Sequence, residues 1–358
     1  MRTPFPHRRP LAELAAILAV FLLAGPSWSS VQAAPPATTH PSGHSRRPVI
    51  HYVTIDKRNY LRLSEVAAFY QCTVTRKLSA KEKTLTLTNR HGQKLLFTAD
   101  SICATLDGYQ INFCYKVLCK KGEFLLEQTD FKDFLDPILR TQTVPKLAVK
   151  TIMLDPGHGG KDHGAEYGGT MEKDLNLLLA KRIRSILQRR GYTVLMTREK
   201  DVEVTLQKRS ELCAAKKPDL FISVHCNAHA TSTDINGIEV WIANPFGVPS
   251  YGTTTLGQDL PGTKYHSSNA LLAYLTLKEL LKATKANDRG IRRKQFYVIS
   301  HSPAPSMLIE FGFLSNEAER KNLIDTSYQD KQCAAVCDAI DKFAKIVAPP
   351  PPRPARVR

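Results

Sequence analysis

The sequence lacks a second long hydrophobic run: beyond its amino-terminal apolar segment, no stretch approaches the roughly 18 apolar residues that a membrane-spanning helix requires. The glycine-rich segment 157–164 lacks the Gly-Lys-Ser/Thr of a Walker phosphate loop. No nucleic-acid recognition module accompanies the net charge of +17. No cysteine directly follows the amino-terminal run, which argues against a lipid anchor. These absences disfavour membrane-spanning, Walker-type nucleotide-binding and nucleic-acid-binding proteins.

The first residues of the chain carry an export signal pattern. A basic start precedes an apolar run, Leu11 to Gly25, which is interrupted only by Glu13. The segment Val31-Gln32-Ala33 then gives a cleavage site of the small-residue type, so residues 1–33 are predicted to be a secretory signal peptide. The pair Arg8-Arg9 fits both a twin-arginine signal and an ordinary basic start, which leaves the export route open. We expect an exported protein.

Two histidines and two carboxylates stand out in the second half of the chain. His158 lies in Asp-Pro-Gly-His-Gly-Gly, Glu172 follows it, His225 lies in Ser-Val-His-Cys-Asn, and Glu310 lies in Ile-Glu-Phe-Gly-Phe-Leu-Ser-Asn. Two histidines and one carboxylate form a known ligand set for catalytic zinc and leave a fourth position open for water. Glu310 would then be free to move protons to and from that water. The pattern predicts a zinc hydrolase that binds one Zn²⁺ through His158, Glu172 and His225.

The same residues follow segments that are typical of buried parallel strands. The apolar runs Thr151–Leu154, Leu220–Val224 and Ser306–Ile309 each lead directly into one of the motifs. In open α/β sheets, ligands bind outside the carboxyl ends of the strands. Glu172 begins a helical pattern, and a helix amino terminus can face the same edge. We therefore predict an open, twisted, mostly parallel sheet with helices on both faces.

Each of these residues alone has a simpler interpretation. A single histidine is more often a satisfied loop or core residue, and a single Glu172 would be favoured by the helix dipole at an amino terminus. His229, four residues after His225, could imitate a ligand pair, but it lies past the predicted strand end. The coincidence of four such residues at strand ends favours the zinc interpretation.

With these motifs, the region from about 150 to 346 resembles a known family, the zinc-dependent N-acetylmuramoyl-L-alanine amidases, cell-wall enzymes of the AmiA/AmiB/AmiC and sporulation type. The resemblance covers over half of the chain in the right order. It implies that His158, Glu172 and His225 bind zinc and that Glu310 is catalytic. The motifs that carry it are Asp-Pro-Gly-His-Gly-Gly, Glu172-Lys173-Asp174-Leu175-Asn176, Thr197-Arg198, Leu206-Gln207-Lys208-Arg209, Ser223-Val224-His225-Cys226-Asn227-Ala228 and Glu310-Phe311-Gly312-Phe313-Leu314-Ser315-Asn316.

The resemblance implies an activity and a location. The expected reaction is hydrolysis of the amide bond between the lactyl group of N-acetylmuramic acid and L-alanine of the peptidoglycan stem peptide, by a zinc-activated water. Peptidoglycan is the expected partner, the expected location is the periplasm or the cell wall, and the need for a protein activator stays open. The net charge of +17 fits attraction to an anionic wall or outer-membrane surface. The residues by themselves also fit a zinc peptidase that cuts within the stem peptide, or a non-catalytic wall-binding protein.

Residues 49–140 predict a smaller, β-rich α+β domain. Leu85 and Leu87 alternate with threonines, turn-forming residues recur, and one short helix is expected around Leu63 to Tyr70. The segment Tyr-Leu-Arg-Leu-Ser-Glu-Val-Ala at 60–67 loosely resembles the non-catalytic domain named after the copper amine oxidase amino terminus, but supplies no copper ligands. We expect a structural or wall-docking appendage. The predicted division of the chain is a signal peptide at 1–33, a flexible linker at 34–48, this domain at 49–140, a linker at 141–149, the amidase-like domain at 150–347 and a proline-rich basic tail at 348–358.

Eight cysteines in an exported chain invite disulfides. The four in the smaller domain would allow three pairings if all were bridged, whereas the four in the larger domain are predicted to be buried apolar residues. These are Cys72, Cys103, Cys114 and Cys119, and Cys213, Cys226, Cys333 and Cys337, respectively.

Overall fold

The computed structural model describes residues 49–350. The predicted signal peptide, the linker at 34–48 and most of the proline-rich tail therefore lie outside the described residues. Among the residues that are described, no helix is both long and apolar enough to cross a membrane.

Hairpins dominate the first part of the described chain because turn-forming residues separate short strands. At Asp107 and Gly108, φ is 55° and 85°, and a two-residue hairpin turn of the commonest type requires positive φ at both central positions. The predicted helix is present and begins at Leu63. The elements are β1 Tyr52–Ile55, β2 Arg58–Arg62, α1 Leu63–Phe69, β3 Thr73–Leu78, β4 Lys83–Thr88, β5 Lys94–Thr98, β6 Cys103–Leu106, β7 Tyr109–Asn112, β8 Leu118–Lys120, β9 Glu123–Glu127, α2 Gln128–Asp130, a π-helical turn Phe131–Leu135, α3 Asp136–Leu139 and a 3₁₀ turn Thr141–Thr143.

Strands and helices alternate in the second part of the described chain, as expected for an α/β protein. Its elements are β10 Thr151–Pro156, β11 Glu166–Tyr167, β12 Thr170–Met171, α4 Glu172–Arg189, β13 Thr193–Met196, α5 Leu206–Lys216, β14 Leu220–Asn227, β15 Ile238–Ile242, a 3₁₀ turn Pro261–Tyr265, α6 His266–Thr284, β16 Asp288–Arg293, α7 Tyr297–His301, β17 Ser306–Phe313, α8 Glu317–Ile324 and α9 Thr326–Val347.

The central sheet is mostly parallel and has helices on both faces. Strands β13, β10, β14 and β17 run parallel to one another, β15 is antiparallel to β17, and β16 is parallel to β15. Ile152 and Leu154 of β10 belong to the large core that also contains residues of α4, α6 and α9. Met153 belongs instead to a second core, with residues of α5 and α7. Successive side chains of β10 thus face opposite helical layers. The predicted fold class is confirmed.

The positions of two site residues relative to the strand ends differ from the prediction. His225 and Glu310 lie inside β14 and β17, as direct register partners, and do not follow the strand ends. The backbone ladder continues past the apolar runs, so composition alone underestimates the strand lengths.

The first part of the chain also extends the central sheet. Strand β7 pairs with β16 through Ile111 and Ile291, so that eleven strands form one sheet within the described residues, in the order β13-β10-β14-β17-β15-β16-β7-β6-β5-β4-β3. Strands β1, β2, β9 and β8 form a separate sheet. The linker at 141–149 stays a prediction. The two regions that it separates in sequence share one hydrogen-bonded sheet, through the pairing of β7 with β16.

Candidate active site

His158 lies in the loop that follows β10, in a backbone conformation that is unusual for a side-chain-bearing residue, with φ of 60°. The loop passes directly below the ring of His225, since a Cβ at Gly157 would lie 2.0 Å from His225 Cε1. Only glycine permits this approach. The Nδ1 atom of His158 lies 2.8 Å from Asp162 Oδ2, and its Nε2 atom lies 3.2 Å from Glu172 Oε2. Asp162 therefore turns the Nε2 atom of His158 toward Glu172.

Glu172 is the first residue of α4, and its carboxylate is buried between the two histidines. Its Oε1 atom lies 2.8 Å from His225 Nδ1 and accepts a hydrogen bond from Asn176 Nδ2 at 3.2 Å. The backbone N–H of Ala165 donates to Oε2 at 3.0 Å. Burial by itself would raise the pKa of this carboxyl, but hydrogen bonds and charges from His158 and His225 outweigh burial and lower the pKa. Glu172 is therefore held as a carboxylate.

The three side chains fit a metal ion of the size of zinc. One ligand atom from each of His158, Glu172 and His225 lies within 4.8 Å of the others. Tetrahedral ligands about 2.0–2.1 Å from zinc lie roughly 3.3 Å from one another. The observed separations of Glu172 oxygens from the two ring nitrogens, 3.2 Å and 2.8 Å, are close to that spacing. The donor set, two imidazoles and one carboxylate, is also one that catalytic zinc uses.

Glu310 lies beside this group without belonging to it. It lines the same cavity as His158 and His225, and its Oε2 atom is buried without a hydrogen-bond partner among the described residues. Burial raises the pKa of the Glu310 carboxyl well above its usual range, and the nearby charges of Glu172 and Glu239 raise it further. A buried oxygen without a hydrogen-bond partner destabilises the folded protein. Glu310 is therefore a group that can bind a partner in the cavity.

The cavity above these residues has a volume of about 450 Å³ and two different walls. One wall is formed by the loop from Glu203 to Thr205 with Leu206 at the start of α5, and the other by Phe296, Tyr297 and Val298 before and within α7. Apart from the family motif Leu206-Gln207-Lys208-Arg209, the sequence did not predict either wall, because loop residues carry no periodic pattern. An aromatic pair after a strand was the one available signal for the second wall.

His229, the alternative ligand, has another role. Its Nδ1 atom accepts a hydrogen bond from the backbone N–H of Ser232 at 3.2 Å, and it is not part of the candidate metal group. It stabilises a loop.

The cysteines, all eight of which lie in the described residues, are free. Those of the larger region, Cys213, Cys226, Cys333 and Cys337, are buried as predicted. Neither region is held together by a disulfide within the described residues.

The fold and the site define an α/β protein with a candidate metal centre formed by the loop after β10, the start of α4 and strand β14, and with a carboxyl group beside it. Comparison with known proteins gives its class: the family model described as N-acetylmuramoyl-L-alanine amidase (Amidase_3) matches residues 152–342. The chain therefore belongs to the N-acetylmuramoyl-L-alanine amidase family, which confirms the predicted family and enzyme class.

The chain is also similar to individual amidases. The amidase LytC of Bacillus subtilis is 34% identical over 53% of this chain and 34% of its own length. The amidase AmiC of Neisseria meningitidis is 33% identical over 54% of this chain and 52% of its own. The chain thus spans about a third of LytC and about half of AmiC. A crystal structure of the amidase from Clostridium difficile 630 is 30% identical, covers 56% of this chain and 98% of its own, and has a TM-score of 0.48.

Proposed function

We propose that this protein hydrolyses the amide bond between the lactyl group of N-acetylmuramic acid and L-alanine of the peptidoglycan stem peptide. Family membership supports the choice of bond. We further propose that one zinc ion, held by His158, Glu172 and His225, is the cofactor. The observation that carries this mechanism is the convergence of three ligand atoms within 4.8 Å in a cavity that Glu310 also lines.

The chain's own residues prepare the ligand set. The hydrogen bond between His158 Nδ1 and Asp162 leaves the lone pair of Nε2 directed at the site. The hydrogen bond from Asn176 orients the Glu172 carboxylate. When bound, zinc supplies a Lewis acid that polarises the scissile carbonyl and lowers the pKa of water toward about 7.

Glu310 is proposed as the general base and then the general acid. Its Oε2 atom has no protein partner among the described residues, so the ionised form of Glu310 would be able to accept the proton of the attacking water. The water oxygen bonds to the carbonyl carbon, the C–N bond breaks, and Glu310 returns the proton to the departing alanine nitrogen. The products are a free lactyl carboxyl group on the glycan and a stem peptide with a free amino terminus. Because Glu310 lies inside β17, its position is set by the sheet ladder.

Product analysis on purified sacculi tests the reaction. Release of stem peptides with amino-terminal L-alanine, together with free lactyl carboxyl groups, is the expected outcome. A new amino terminus at a later stem residue would identify a peptidase that cuts within the peptide. Binding without any release would identify a non-catalytic wall-binding protein.

We propose an exported protein of the periplasm or cell wall with peptidoglycan as its partner. The net charge of +17 supports attraction to an anionic wall or outer-membrane surface. The related CwlD amidase of Clostridioides difficile has been solved in complex with the GerS lipoprotein. A protein activator is therefore included among the proposed partners, and comparison of activity on sacculi with and without cell extract tests it.

A further inference from the structure

Two arginines lie almost completely buried behind the metal-binding loop. Arg198 and Arg209 are each 3% exposed. A buried guanidinium is costly unless its donors are satisfied, so the partners of these residues show what they are for.

Arg209, on α5, connects the loop to the sheet. It forms an ion pair with the buried carboxylate of Asp155, with 2.6 Å between Nη1 and Oδ1. It also donates to the carbonyl oxygens of Pro156 at 2.7 Å and His158 at 2.8 Å. Its Nε atom donates to the carbonyl oxygen of Val204, in the cavity wall, at 3.0 Å. One side chain thus joins β10, the backbone of His158 and the rim of the cavity.

Arg198 connects the same loop to the helix that carries Glu172. Its Nη2 atom donates to the carbonyl oxygens of Gly157 and Lys173, both at 2.8 Å. Its Nε atom donates to the carbonyl oxygen of Pro156 at 3.1 Å. Lys173 directly follows Glu172, so Arg198 couples the positions of two proposed ligands.

Together the two guanidiniums supply donors to the carbonyl groups of residues 156–158, where the chain leaves the ladder of β10. Buried carbonyl groups need donors. Here the donors belong to two rigid, planar guanidinium groups, whose shape fixes both the distance and the direction of each hydrogen bond. This arrangement favours the left-handed conformation of His158, with φ of 60°.

We propose that Arg198 and Arg209 are positioning residues that hold His158 and Glu172 in the geometry that binds the metal ion. The proposal rests on the proposed function, because it assumes that these residues are ligands. It predicts that metal affinity depends on the fork shape of the guanidinium and not only on its positive charge. A lysine keeps the charge but offers one nitrogen, which cannot reach Asp155, Pro156 and His158 together.

The test compares Arg198→Lys and Arg209→Lys with the unaltered full chain. Zinc affinity is measured by competition with a chromophoric chelator, and the folding of the metal-free protein by circular dichroism and thermal unfolding. Each variant should bind zinc about 10–100-fold more weakly while the metal-free protein stays folded. Arg190→Lys is the control, because Arg190 forms ion pairs with Asp338 and Asp341 and directly follows α4, at the end opposite Glu172. It should leave zinc affinity unchanged.

Unchanged zinc affinity in both folded variants would overturn the proposal, even if their melting temperatures fell. If Arg209→Lys does not fold, because one nitrogen does not satisfy both the buried Asp155 and the carbonyl groups of Pro156 and His158, Arg198→Lys decides the question, since Arg198 forms no ion pair with a carboxylate among the described residues. An unaltered chain that binds no zinc would overturn the metal assignment together with this proposal. An unaltered chain that binds zinc, with variants equally tight, would overturn this proposal alone.

Discussion

Residues 52–143 and residues 151–347 form their sheets by different rules. In the first region, strands pair mostly with their neighbours in sequence, as β6 and β7 do around Asp107 and Gly108, and the pairing of β2 with β9 is the exception. In the second, β10, β14 and β17 pair in parallel although helices and long loops separate them. Local turns set the register of the first region, whereas the second depends on packing between distant segments. The candidate metal group of the described residues lies in the second region alone.

The contrast does not make the first region a detachable appendage. The backbone N–H of Gln110 donates to Asp288 at 2.6 Å, and Asn112 Nδ2 donates to the carbonyl oxygen of Ile291 at 3.1 Å. Asp130 and Arg293 form an ion pair across the same junction, with side chains 0% and 2% exposed. The first region, which carries no candidate metal group among the described residues, is therefore joined by hydrogen bonds and an ion pair to the sheet that carries the candidate metal group.

The largest effect on catalysis is expected from the proposed zinc ligands. His158→Ala and His225→Ala should each lose zinc and activity, because two remaining ligands do not define a tetrahedral site. Metal analysis of the purified variants checks this. Near-full zinc occupancy in both would refute the assignment.

A smaller effect on catalysis, with no effect on the metal, is expected from Glu310→Gln. Glutamine keeps the shape but cannot accept a proton, so turnover should fall at least about a hundredfold while zinc content stays normal. Zinc content and muropeptide release are measured side by side. Loss of zinc together with activity would make Glu310 a ligand, and full activity would leave the reaction without its proposed base.

Removal of the first region should change stability more than chemistry. A chain that starts at Lys146 should still cleave small muropeptides, because the candidate ligands all remain. It should unfold more easily, since β16 becomes an edge strand and Arg293 loses Asp130. Thermal unfolding and muropeptide cleavage below the unfolding temperature check both parts. Complete inactivity of a well-folded shortened chain would contradict this separation of roles.

The contact between the two regions can be tested by a change in one side chain, Asp130. Asp130→Asn leaves the buried guanidinium of Arg293 without its charge partner, and loss of one member of a buried ion pair typically destabilises by about 3–5 kcal/mol. Asp133→Asn, the same change in the adjoining π-helical turn, is the control. Chemical denaturation of both variants gives the comparison. Equal stabilities would mean that the ion pair does not hold the regions together.

The smallest effect is expected in a hairpin of the first region. Gly108 has φ of 85°, and a Cβ added there would have no atom within 4 Å, so Gly108→Ala is opposed only by backbone strain. It should cost about 1 kcal/mol and leave zinc content and turnover unchanged. Denaturation and muropeptide assays check this. A change in turnover would reveal coupling from the hairpin to the site.

Much of the candidate site could be predicted because its signals are local. Apolar runs before His158, His225 and Glu310 predict strands, and Glu172 begins a helix in both the pattern and the structure. Strand lengths could not be predicted, because the ladder between β14 and β17 continues wherever partners are available, whatever the side chains. The hairpins were predictable from their turn residues, but their attachment to β16 was not.

By itself, the sequence determined the four chemical groups, the order of strands and helices, and the turns, since each depends on residues that are close along the chain. The tertiary structure alone decided that β7 joins β16, that Asp130 meets Arg293, and that two buried arginines bind the loop of His158. These contacts join segments far apart in sequence, where a buried donor takes whichever acceptor the packing of distant elements brings to it.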